Sequence, residues 1–94
     1  MAQSIEELTV AYEEDGQELV KELGKVVLSK GAWTTILYRY QDWERAKEAF
    51  SPDRFTIRRY QKRNGEYSQK SKFNISSAEQ ARLIIDALQK WIAE

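Results

Sequence analysis

The segment RFTIRRYQKRNGEYSQKSKFNIS, residues 54–76, admits few folds. Asn64 and Gly65 separate two runs whose apolar residues alternate, and an Asn-Gly pair there favours a two-residue type I′ turn, because both central residues need positive φ. Alternation with a period of two then sorts side chains by face. On the first run, residues 54–62, Phe55, Ile57 and Arg59 point one way and Thr56, Arg58, Tyr60 and Lys62 the other. On the second, residues 67–75, Tyr67, Phe73 and Ile75 share one face, and Ser68, Lys70, Lys72 and Asn74 share its opposite. The expected hairpin gathers Arg58, Tyr60, Lys62, Lys70 and Lys72 on one side.

The rest of the chain supplies a second hairpin and a helix. From Val20 the residues alternate, with Val20, Glu22, Gly24, Val26 and Leu28 on one face and Lys21, Leu23, Lys25, Val27 and Ser29 on the other. SKGA at 29–32 suits a tight reversal, and WTTILYRYQ at 33–41 is dense in the β-branched and aromatic residues that favour strands. Residues 42–53, with Asp42 to cap a helical turn or two and Pro52 to stop it, are expected to connect strands. At the C-terminus, Ser76 or Ser77 caps a run in which Ala81, Ile84, Ile85, Leu88, Trp91 and Ile92 recur at helical spacing. Residues 1–16 are expected to be an acidic tail or short helix, with Ser4 and Glu7 at capping-box spacing, and residues 17–94 the folded domain. Ninety-four residues support one core. The fold class is therefore α+β: a four-stranded antiparallel sheet of two hairpins, followed by one amphipathic helix covering Phe55, Ile57, Phe73 and Ile75.

Composition narrows the chemistry. The chain has no Cys and no His, so it lacks a thiol nucleophile, a thiolate metal site and the usual general base near neutral pH. No phosphate cradle or metal-ligand spacing is present, and neither an enzyme nor a cofactor or metal is expected. No apolar run is long enough to span a membrane, and the acidic N-terminal stretch does not resemble a secretory signal; a cytoplasmic protein is expected. The formal charges cancel at 15 against 15, yet they are segregated. Residues 1–22 hold seven acids (Glu6, Glu7, Glu13, Glu14, Asp15, Glu18, Glu22) and one Lys, while residues 54–72 hold seven bases and one acid. A sheet face mixing cations with rings suits single-stranded nucleic acid, in which phosphates meet the cations and unpaired bases stack on the rings. A duplex reader would offer a helix for the major groove, and the long helix here is assigned to the core.

The run KELGKVVLSKGAWTTILYRYQDW, followed by RFTIRRYQKRNGEYSQKSKFNISSAEQARLII, resembles the positive-cofactor-four family of transcriptional coactivators, especially its short bacterial members. TIRRY at 56–60 stands where that family has its Asp-Ile-Arg strand, and QKSKFNISSAEQ at 69–80 where its basic strand leads into the helix. The resemblance implies a homodimer that binds single-stranded DNA without strong sequence choice and regulates transcription, with RNA left open. Carried over by position, it implies contacts from Lys25, Trp33, Arg39, Arg58, Tyr60, Lys70 and Lys72. The departures are Thr56 in place of Asp, a longer connection at 42–53, and an acidic N-terminal segment without counterpart. Each site residue also has a plainer reading: Trp33 and Tyr60 as sheet aromatics, Arg39 paired with Asp42 or Glu44, Arg58 as a dimer ion-pair partner. The acids of residues 6–22 are either a solvated tail or a cover lying over the basic sheet. The alternative function is a protein-interaction module using the basic face or the sheet edge.

Overall fold

The computed structural model describes residues 2–94. A 3-10 turn at Ile5–Glu7 precedes β1 (Tyr12–Glu14), β2 (Gln17–Ser29), β3 (Trp33–Glu44), β4 (Ala49–Phe50), β5 (Arg54–Arg63) and β6 (Glu66–Ile75), and the chain ends in α1 (Ala78–Ala93). The strands form one antiparallel sheet in the order β1-β2-β3-β5-β6, with the short β4 pairing β3. The expected α+β class and single C-terminal helix hold; the expected four strands become six among the described residues. The additions come from residues 1–16, expected to be a tail or short helix, and from residues 42–53, expected to be a connection with a helical turn or two. Residues 12–14 fold back on β2 through Asp15 and Gly16, both at positive φ, and β3 runs on to Glu44, where Trp43 and Glu44 pair with Phe50 and Ala49. The edge contact of the Trp43 and Phe50 rings, centroids 5.2 Å apart, closes that small hairpin.

The central hairpin forms as its residues dictate. Asn64 and Gly65 have φ of 53° and 77°, and Arg63 faces Glu66 across the turn. On β5 the alternation is unbroken. Thr34, Ile36, Tyr38 and Tyr40 of β3 lie opposite Tyr60, Arg58, Thr56 and Arg54 of β5, so these eight share one face. Leu37 opposite Ile57, and Phe55 opposite Ile75, lie on the other.

Bulges overturn the alternation expected elsewhere, one on β6 and two on β2 where it pairs with β3, at Leu23 and at Leu28. On β6 the register passes from Arg59 opposite Ser71 to Tyr60 opposite Gln69, which leaves Lys70 as the extra residue. Everything before it changes side, so Tyr67 joins Tyr60 instead of Phe73 and Ile75. On β2 the register skips Leu23, which puts Glu22 and Lys25 on the same face as Tyr40 and Tyr38, and Gly24 and Val26 on the opposite one.

The core also lies elsewhere than the helical pattern suggests. Its buried residues are Leu8, Val10, Ile36, Tyr38, Tyr60 and Tyr67, with Ala2, Ile5, Val20, Val27 and Tyr40 packed against them. The N-terminal segment therefore covers the face on which the cations stand. The helix was expected to cover the opposite face, yet none of its residues is buried. Its start is fixed by Ser77, whose hydroxyl accepts from the Gln80 N–H at 3.1 Å, while Gln80 Oε1 accepts from the Ser76 N–H at 2.8 Å. Beyond that start it stands off the sheet, leaving an apolar groove of about 510 Å³ between Leu28, Leu37, Phe55 and Ile57 on one side and Ile84, Ile85 and Leu88 on the other.

Candidate nucleic-acid interface

The β5–β6 hairpin brings cations together in a row. Arg54, Arg58 and Lys62 share one face of β5, and Lys72 stands beside Arg58 across the ladder. From Arg54 to Lys62 the row spans about 26 Å at about 3.3 Å per residue. Arg58 is held in place: its Nη1 donates to Gln69 Oε1 at 2.8 Å and its Nε to Thr56 Oγ1 at 3.3 Å. The Thr56 hydroxyl in turn donates to Asn74 Oδ1 at 2.8 Å. Lys62 Nζ lies 5.4 Å from the centre of the Tyr67 ring, and Lys72 is exposed. Arg54 sits 3.6 Å from Asp42, with both side chains open to water, where such a pair contributes little.

The remaining residues predicted from sequence occupy different positions. Tyr60 is on the cationic face but only 4% exposed, and its hydroxyl shares a 3.0 Å hydrogen bond with that of Tyr38. Lys25 is on the same face, with Nζ donating to the carbonyls of Ile5 and Leu8 at 2.6 Å each. Lys70 occupies the bulge at the exposed edge. Trp33 and Arg39 lie on the opposite face, in register with Gln61 and Phe55. There Trp33 carries the Arg59 guanidinium at 4.3 Å, and Arg39 Nε donates to Asp53 Oδ2 at 2.6 Å, the partner being neither Asp42 nor Glu44. Arg54 belongs to the row as well; its parity is that of Arg58, but strand ends are the least defined part of an alternating pattern, so the sequence alone does not mark it.

Burial raises the Tyr38 phenol far above its ordinary value, and the hydrogen bond shared with Tyr60 adds to the shift. Burial also raises Tyr40, with Asp42 reinforcing it. These rings are neutral at physiological pH and contribute shape and apolar surface, not charge. Among the described residues no group of three or more acidic side chains gathers into a cation site, and no helix is long and apolar enough to cross a membrane. Compared with protein-family models, with curated proteins and with solved structures, the chain matches none.

Proposed function

We propose that the protein binds single-stranded nucleic acid, DNA in the first instance, along the β5–β6 face and without strong sequence choice. The observation that carries this reading is the row Arg54, Arg58, Lys62 and Lys72, four cations on one side of one hairpin. Cations in line along a strand follow a phosphate backbone, and a row spaced along one hairpin suits the backbone of a single strand. A role in transcription regulation follows only from the resemblance noted in the sequence.

The test is the double substitution Arg58→Ala with Lys72→Ala. Its expected effect is weaker binding to all single-stranded sequences alike, with a salt slope shallower by about 1.4, two contacts at about 0.7 each. Arg39→Ala, on the opposite face, serves as control and is expected to leave binding unchanged. Equal losses from both substitutions would refute the assignment of the face.

The active form in this reading is a homodimer closed over the apolar groove. The chain exposes 6862 Å², against about 5,600 Å² for a compact monomer of 11.0 kDa. The excess of about 1,200 Å² is of the order that one partner buries in a stable complex. Val26, Leu28, Phe73, Leu83, Ile85, Leu88 and Trp91 are all exposed on the helix or sheet, and a second copy of the same groove is the partner that matches their size and apolar character.

One observation favours a second reading, a protein-interaction module. β6 is an open edge, and its Tyr67 N–H already donates to the Ala2 carbonyl at 2.8 Å, so the edge accepts an extended segment. Lys70 and Lys72 on that edge favour an acidic one.

A further inference from the structure

Residues 2–11 cross the cationic face, and side chains fasten them there as much as backbone does. Lys25 Nζ donates to the carbonyls of Ile5 and Leu8, Glu22 Oε1 accepts from the Thr9 hydroxyl at 2.6 Å and from the Val10 N–H at 3.3 Å, and the Tyr67 N–H donates to Ala2. Residues 8–11 have no regular secondary structure of their own. They rest on the sheet through two buried side chains, Leu8 and Val10, which pack in one cluster with Tyr38, Tyr60 and Tyr67. Glu6 and Glu7 remain exposed on the outer side of the segment, where they oppose an approaching phosphate.

Two of these contacts, that of Lys25 with the carbonyls and that of the rings with Leu8 and Val10, have a counterpart in a single strand of nucleic acid. The ammonium of Lys25 that satisfies two carbonyls satisfies a phosphate equally well, and the rings under Leu8 and Val10 are of the kind on which bases stack. The contacts are also separable from the sheet, whose ladders from β2 to β6 do not pass through residues 2–11.

We infer that residues 2–11 form an autoinhibitory strap that a single strand displaces, exchanging Leu8 and Val10 for bases on Tyr60 and Tyr67 and the Ile5 and Leu8 carbonyls for a phosphate on Lys25. This rests on the reading of the β5–β6 face as a single-strand site and gives that face two states. With the strap seated, only the row from Arg54 to Lys72 is open, and binding is electrostatic capture. With the strap released, the rings join the site.

Hydrogen exchange on the full chain, with and without a dT oligonucleotide of about twelve residues, reads the strap directly. The Val10 and Tyr67 amides, which donate to Glu22 and Ala2, are expected to exchange faster in the complex, while amides of the β3–β5 ladder exchange no faster. Glu22→Ala, which removes the acceptor for Thr9 and Val10 and lies outside the cationic row, is expected to tighten binding by about tenfold as the open fraction rises, since apparent affinity scales with that fraction. If the oligonucleotide binds while the Val10 and Tyr67 amides stay as protected as in the free chain, and Glu22→Ala binds no better, the strap is a fixed part of the core and only this inference falls. If neither the native chain nor Glu22→Ala binds the oligonucleotide, the single-strand reading of the face falls, and the strap's role with it.

Discussion

Thr56, on β5, is wholly buried. A carboxylate there would need its charge compensated, whereas the hydroxyl is satisfied by Asn74 and offers its oxygen to Arg58. One neutral side chain thus aims a guanidinium across the hairpin. The Tyr38–Tyr60 pair beside it makes stability depend on pH in a definable window. Because Tyr38 is raised from 10.0 in the folded chain, the unfolded chain releases its phenolic proton first as pH climbs past about 10, and stability that is complete below that point is lost above it. The urea midpoint is expected to fall between pH 9 and pH 11. In Tyr38→Phe the fall is expected to be smaller, with a loss of about 1 kcal/mol already present at pH 7 from the broken hydroxyl pair. An unaltered fall in the variant would contradict the assignment.

Among the elements, the β5–β6 hairpin was the most legible in the sequence, because Asn64-Gly65 fixes the turn and parity then fixes the face. Arg58, Tyr60, Lys62 and Lys72 were brought together on that ground alone. The bulges at Leu23 and Lys70 were not legible, since one extra residue reverses all parity beyond it and no residue type marks the place; Tyr67 was misplaced for this reason. The burial of Tyr60 and the engagement of Lys25 escaped as well, because both depend on a segment some fifteen or more positions away whose apolar residues, Ile5, Leu8 and Val10, are too few to show a period. Trp33 and Arg39, both expected at the site, have odd positions that put them on the opposite face. The start of α1 was legible from its Ser caps; its standing off the sheet was not, because the spacing of an apolar stripe does not say what covers it. Leu88, exposed beside the groove, is the probe for that partner. Sedimentation of the native chain is expected to give twice 11.0 kDa, and Leu88→Glu to give the monomer mass with the sheet intact by circular dichroism. A native chain that stays monomeric at tens of micromolar, well above the range of stable dimers, would contradict the dimer.

Over the whole molecule, shape and charge agree with a surface made to receive something. The chain is a slab of 49 × 39 × 17 Å with a radius of gyration of 15.1 Å, against about 12.4 Å for a compact domain of its length. The apolar groove lies on one broad face, the cationic row on the other, and seven of the fifteen acids fall in the N-terminal quarter of a chain whose net charge is zero. A neutral total lowers long-range attraction for nucleic acid in general, so what binding there is must come from the local row. The most direct test of that claim is the fluorescence anisotropy of a labelled dT oligonucleotide and of its duplex, titrated with the protein across a range of salt. Four cations on the row give an expected slope of log affinity against log salt near −2.8, at about 0.7 per contact, with the single strand bound more tightly than the duplex. A slope near zero, or a duplex bound as tightly as the single strand, would contradict it.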